Sequence, residues 1–140
     1  MSPELQNRLF QAYPELFDRS EGNPLADWGI EAPDGWYALI ERLFQELSAL
    51  AREDKLTVRI VQIKPKVASL QVRLDGHDTT AEAIINKAEE ASRRTCEVCG
   101  EPGTLYTSKH GWHWYIVVCP KHRREGYISV LKATTKTEND

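Results

Sequence analysis

The chain has 140 residues, 41% hydrophobic and 28% charged, with a formal net charge of −3. Those values fit one ordinary globular domain, or one with a small metal-stapled appendage, and exclude the disordered class. No apolar run reaches the ~20 residues of a membrane span, and the N-terminus lacks the basic and apolar regions of a signal peptide. The expected location is therefore the cytoplasm, with no membrane partner.

The charge is unevenly spread. Residues 1–55 carry eleven acidic and five basic side chains, and residues 56–140 carry ten acidic and thirteen basic. Part of the basic excess gathers at Arg93, Arg94, Lys121, Arg123 and Arg124. That asymmetry keeps both an acidic protein and a nucleic acid in view as partners, although a pI of about 5.8 is low for a dedicated nucleic-acid binder.

In chain order, residues 3–13 read as a first helix, with Ser2 as N-cap, Pro3 at its first position and Leu5, Leu9 and Phe10 on one face. Pro14 ends it or opens a further turn through Leu16 and Phe17. Residues 18–33 contain Gly22, Pro24, Gly29 and Pro33 and read as an ordered loop, anchored by Trp28 and Ile30. Asp18, Glu21, Asp27, Glu31 and Asp34 crowd this loop, as a solvated stretch or a surface for a cation or a basic protein. Asp34 is placed to cap a second helix from Trp36 to about Arg52. Its stripe of Trp36, Ile40, Leu43, Phe44, Leu47, Leu50 and Ala51 has helical spacing and reads as core.

Residues 57–64 are β-branched and alternating, and Leu70, Val72 and Leu74 alternate with polar residues. Together they predict an antiparallel hairpin broken at Lys64-Pro65-Lys66. Thr79-Thr80-Ala81-Glu82 reads as a capping box opening a third helix to about Arg94, with Ala81, Ile84, Ile85, Ala88 and Ala91 inward. Glu89/Arg93 and Glu90/Arg94 stand at i,i+4 in the favourable order. Residues 104–107 and 112–118 then read as a second hairpin around Ser108-Lys109-His110-Gly111, with Trp112, Trp114, Ile116 and Val118 on one face. The apolar segment 127–131 fits more than one element type.

All three cysteines of the chain lie in Cys96-Glu-Val-Cys99 and Cys119-Pro-Lys-His122, two pairs with ligand spacing separated by nineteen residues. Each pair can turn as a knuckle presenting two donors, and two knuckles complete a tetrahedron, so Cys96, Cys99, Cys119 and His122 are the expected ligands of a structural zinc ion. His110 and His113 in the hairpin are the alternatives to His122, which the Cys-Pro-Lys-His turn places beside Cys119 by local geometry. A hairpin between two knuckles has the form of a zinc ribbon. The expected fold class is thus α+β: N-terminal helices packed on a short antiparallel β-hairpin, with a third helix leading into a C-terminal zinc ribbon. The expected division is residues 1–94 for the α+β part, 95–133 for the ribbon and 134–140 for a disordered tail.

Four donors in paired spacing leave no open coordination position, which argues against metal catalysis. No Gly-rich phosphate loop, nucleophile elbow or HExxH motif occurs. A hydrolytic site of three cysteines and a water is a remote alternative, and it lacks the His-x-Glu that supplies such a site's general base. No catalytic residue and no small-molecule substrate are expected.

At Asp34-Gly35-Trp36-Tyr37, at Lys64-Pro65-Lys66, and above all at Thr95-Cys96-Glu97-Val98-Cys99-Gly100-Glu101-Pro102-Gly103 with Gly111-Trp112 and Cys119-Pro120-Lys121-His122, the chain resembles a family of small proteins encoded by bacteriophages and prophages. The similarity spans roughly residues 5–122. It implies the same order of elements, ending in a zinc ribbon with three cysteines and one histidine, and it implies a setting rather than an activity. The chain departs at Val67-Ala68-Ser69-Leu70, where the family is richer in glycine and aromatics, and it adds residues after His122. In that setting, compactness, the absence of catalytic constellations, the acidic N-terminal half and the aromatics of the ribbon lead to the expectation of a non-catalytic accessory factor in the host cytoplasm that binds and inhibits or redirects a host protein, a defence or transcription component. The alternative is nucleic-acid binding by the ribbon, with Arg93, Arg94, Lys109, Lys121, Arg123 and Arg124 on phosphate and Trp112 or Trp114 stacked on bases.

Overall fold

The computed structural model describes residues 1–110 and 114–130; Trp112, His113 and the expected tail 134–140 lie outside them. Helix α1 (Pro3–Ala12) starts where Ser2 Oγ accepts the Leu5 N–H at 3.4 Å, and Pro14 diverts the chain into a 3₁₀ turn, Pro14–Leu16. The Gly/Pro-rich loop contains a short helix, α2 (Pro24–Trp28), and a second 3₁₀ turn, Asp34–Trp36, leads into α3 (Tyr37–Glu53). Strands β1 (Ile60–Pro65) and β2 (Leu70–Leu74) form the first hairpin and are followed by α4 (Thr79–Ser92). Strands β3 (Thr104–Ser108), β4 (Tyr115–Val118) and β5 (Tyr127–Ser129) make a separate antiparallel sheet in the order β4-β3-β5. The architecture is α+β, helices followed by an antiparallel hairpin and a C-terminal sheet that carries the cysteines and His122. No helix among the described residues is long and apolar enough to cross a membrane.

The stripe of α3 is the centre of the main core. Trp36, Ile40, Leu43, Phe44 and Leu47 are buried with Leu9 and Leu16 from the N-terminal turns and Ile60, Ile63 and Leu70 from the hairpin. Each fully buried side chain of this size contributes about 1.5–3 kcal/mol of transfer free energy. Phe17 bridges Phe10 and Phe44 edge-to-face, with ring centroids 4.8 and 5.1 Å apart. A second, smaller core joins Cys96, Tyr106, Ile116, Val118 and Cys119.

Both edges of the first hairpin are covered. On the β1 side, the Asp18 N–H reaches the Ile60 carbonyl and the Glu31 N–H the Ile63 carbonyl, each at 3.0 Å. On the β2 side, side chains of α4 take the outward donors: the Leu70 N–H donates to Ser92 Oγ at 2.8 Å and the Val72 N–H to Glu89 Oε1 at 3.3 Å. A two-stranded sheet with open edges would be marginal and prone to pairing with other chains, and this packing removes both problems.

Several expectations are corrected. Trp28 is 70% exposed and anchors nothing; Leu25, one turn earlier in α2, is the buried residue beside Ile30. Asp34 does not cap α3 with its side chain: its carboxylate accepts the Ser2 N–H at 2.8 Å, tying the N-terminus to the helix start. The cap of α4 is Asp78, whose Oδ1 accepts the Ala81 N–H at 2.8 Å, because the helix begins at Thr79, one residue earlier than a Thr79 cap requires. Neither expected i,i+4 pair forms: Glu89 is turned inward to Val72, and Glu90 pairs with Arg93 at i,i+3. The crowded acids of the loop make local contacts too, Asp18 accepting the Ser20 N–H at 3.0 Å.

Candidate metal centre

The first knuckle leaves α4 through a tightened end, where the Arg93, Arg94 and Thr95 N–H groups make short-range bonds and Thr95 Oγ1 donates to the Ala91 carbonyl at 2.7 Å. Thr95 then bridges Pro102, the Cys96 N–H donates to the Glu101 carbonyl at 2.7 Å, and the Gly100 N–H returns to the Cys96 carbonyl at 3.0 Å. That turn requires φ +81° at Gly100, a conformation open to glycine and costly for a side chain. The second knuckle is the 3₁₀ turn Pro120–His122, closed by the His122 N–H on the Cys119 carbonyl at 3.0 Å. Strand β4 delivers Cys119, and the Glu97 N–H on the Val117 carbonyl at 2.9 Å fixes one knuckle against the other.

The four donor atoms, three Sγ and the His122 Nδ1, all lie within 4.8 Å of one another. Cys99 Sγ is 3.7 Å from Cys119 Sγ, and His122 Nδ1 is 3.7 Å from Cys96 Sγ and 3.2 Å from Cys119 Sγ. A tetrahedron with metal–sulfur bonds of about 2.3 Å has edges of about 3.8 Å, so the donor set has the size a zinc ion requires. The cluster is positioned to bind a metal ion. His110 stands apart from it, exposed at the end of β3, with its N–H on Ser108 Oγ at 3.3 Å.

The thiols are unequal. Burial would push the Cys96 thiol up, but the backbone N–H groups of Cys119, Cys99 and Val98 outweigh it and bring the group from the ordinary 9.0 down to about 6. For Cys99 the Glu101 N–H acts downward, yet desolvation and the neighbouring Cys96 and Cys119 sulfurs together raise it above 9.0. Of these two thiols, Cys96 is the one whose charged form the backbone donors favour. Glu97 beside it is raised by burial, an effect that the Arg124 guanidinium partly offsets.

The knuckle is also gripped from the far side of the molecule. The Gly35 N–H donates to the Glu97 carbonyl at 2.9 Å, and the buried Trp36 donates its indole N–H to the Thr95 carbonyl at 3.0 Å. An ideal Cβ at Gly35 would overlap the Cys96 carbonyl oxygen and the Glu97 carbonyl carbon and lie 2.5 Å from the Glu97 carbonyl oxygen. Residues 34–36 therefore form a clamp that holds the first knuckle against the start of α3. Sequence reasoning assigned Trp36 to the core and missed this role. The available signals were a glycine at a helix start and a buried aromatic whose polar tip needs a partner.

The other candidate residues scatter around the cluster. Arg93 is ion-paired to Glu90, and Arg94 is exposed one residue beyond. Lys121, Arg123 and Arg124 are exposed around and after His122. Pairing of β3 with β5 sets Ser108 opposite Tyr127 and puts the Lys109 N–H on the Gly126 carbonyl at 2.8 Å, so Lys109 lies at the end of β3 away from the knuckles, while Arg123 follows His122 and Arg124 acts on Glu97 at the knuckle end. Trp114 is 67% exposed and precedes β4, which begins at Tyr115; the expected start at residue 112 lies outside the described residues. Both faces of β4 are covered: Ile116, Val117 and Val118 are all buried, and the Glu97 N–H of the first knuckle bonds the Val117 carbonyl. No family model, curated protein or solved structure matches the chain.

Proposed function

We propose that Cys96, Cys99, Cys119 and His122 hold a structural zinc ion and that the chain is a non-catalytic accessory protein whose zinc-stapled surface binds a protein of the host. The donor spacing carries the first half of this reading: four donors at tetrahedral-edge separations make a closed site. Exposed apolar groups support the second half. Val98 at the knuckle tip is 47% exposed, and Trp114 and Ile128 on the ribbon are 67% and 36% exposed, a mixture of aromatic and aliphatic anchors typical of protein interfaces. The phage setting enters with the sequence resemblance alone, and host defence and transcription components are the target classes that it suggests.

Cobalt substitution tests the site. A spectrum of a closed tetrahedral set of three sulfurs and one nitrogen is expected, and an open or octahedral spectrum would remove the reading. Affinity capture from lysate of the host, with Cys99→Ala as control, tests the partner. A stoichiometric protein lost in the control is expected, and its absence counts against the proposal.

Nucleic-acid binding is the second reading, favoured by the exposed Lys121, Arg123 and Arg124 around the second knuckle. It ranks lower because Glu90 engages Arg93 and Glu97 offsets Arg124. Salt-dependent binding abolished by Arg123→Glu with Arg124→Glu would promote it, and a flat low-salt titration would dismiss it.

A further inference from the structure

The four donors differ in shelter. Cys96 is fully buried and Cys119 is 5% exposed, whereas Cys99 is exposed beside Val98 at the outer tip of the first knuckle. Cys96 is fixed further by its N–H on Glu101, its carbonyl under Gly100, and the Gly35 and Trp36 clamp on the peptides either side of it. Cys99 belongs to one knuckle and Cys119 to the other, and their sulfurs lie 3.7 Å apart. A disulfide needs about 2.05 Å, a distance that side-chain rotation at the exposed tip can close without moving the clamped segment.

We infer that Cys99 is an oxidation site for peroxides and that its oxidation exchanges a metal staple for a covalent one. The inference rests on the metal reading given above. The Cys99 thiolate attacks one peroxide oxygen, the O–O bond breaks, and the leaving hydroxide takes up a proton as water, leaving Cys99 as a sulfenic acid. The Cys119 thiolate then attacks the Cys99 sulfur. The S–S bond forms, and the expelled hydroxide takes a second proton. Two thiolates give up two electrons, and one hydrogen peroxide becomes two waters. Cys96 and His122 remain as a two-donor remnant, which releases the ion. The new bond joins the same two knuckles that the metal joined, so the ribbon stays closed while its charge and outer tip change. A Cys96–Cys99 bond would lie within one knuckle and leave the second unattached.

The test titrates the zinc-loaded full chain with hydrogen peroxide, following zinc release with a colorimetric chelator and mapping a non-reduced digest by mass spectrometry. One zinc is expected to leave per chain, in step with a Cys99–Cys119 peptide, and thiol reductant plus zinc should restore the starting state. In Cys119→Ser, Cys99 should stop at the sulfenic acid and be trapped by dimedone. Retention of zinc with all three thiols unmodified overturns the inference, as does a map dominated by Cys96–Cys99 or by intermolecular bonds. A chain that takes up neither zinc nor cobalt overturns the metal reading first, before any peroxide is added.

Discussion

Gly35→Ala is the sharpest perturbation of this molecule. Gly35 introduces a helix, and its φ lies outside the left-handed region, so propensity alone predicts that alanine stabilises by up to about 1 kcal/mol. The structure predicts the opposite sign. The new methyl would meet backbone atoms of Cys96 and Glu97, which cannot rotate away as the end of a side chain can. Relief requires the knuckle to move off α3, breaking the Gly35–Glu97 bond of 2.9 Å and the Trp36–Thr95 bond of 3.0 Å. A hydrogen bond contributes about 1 kcal/mol net, and an indole N–H left buried costs about 1–3 kcal/mol. After the propensity gain, the expected loss is about 1–3 kcal/mol, or roughly 2–12 °C in Tm for a chain of this size. Urea and thermal unfolding of the zinc-loaded protein measure it, and competition with a chelator should show weaker metal binding. Trp36→Phe, which removes the indole donor and leaves a cavity in place of the second ring, should destabilise and weaken metal binding in the same direction. An unchanged or higher Tm for Gly35→Ala, with unchanged metal affinity, would refute the clamp.

Ser92→Ala should cost about 1–3 kcal/mol, because Ser92 is fully buried and its hydroxyl is the acceptor for the Leu70 N–H; the urea midpoint reads this directly. Val67→Asn should stabilise by about 1 kcal/mol, since Val67 has φ 50° in the hairpin turn, a conformation that asparagine tolerates, and with 72% exposure it gives up little packing; an unchanged midpoint would show the turn to be relaxed. For pH, Cys96 sits at about 6 in the folded metal-free chain against 9.0 ordinarily. Its ionisation therefore stabilises the metal-free fold fully above 9.0, and this contribution is lost as pH falls through about 6, so unfolding free energy should rise across that window. Cys99, raised above 9.0, is protonated at neutral pH and must release a proton when metal binds, so calorimetry in buffers of different ionisation enthalpy should detect that release.

The metal donors and the core of α3 were legible in the sequence because each depends on spacing within a short stretch. A C-x2-C and a C-P-x-H pair fix donors through local turns, and an apolar stripe fixes the buried face of a helix. What the sequence concealed depends on partners distant along the chain. Asp34 has the residue type and position of an N-cap, yet the Ser2 N–H holds it. Trp28 has the size of an anchor, but α2 rotates Leu25 inward and leaves the indole in solvent. Strand β5 has three residues, too few for any periodicity, and exists because the edge of β3 offers it partners. The buried second face of β4 likewise follows from a knuckle some twenty residues earlier, which no alternation rule within the strand encodes.

The grip of residues 34–36 on the first knuckle has a consequence during synthesis. Trp36 and its acceptor Thr95 are 59 residues apart. At roughly 5–20 residues per second, the start of α3 leaves the ribosome about 3–12 s before the backbone that completes it, and Cys119 follows later still. For that interval the nascent chain presents an indole without its acceptor and a glycine shelf without its cover. The helical half can collapse around Leu9, Phe44 and Ile60, but it finishes only when the cysteines emerge. A segment made later thus closes one made earlier, and an abortive product ending near residue 94 would carry an open seam that quality-control proteases can recognise.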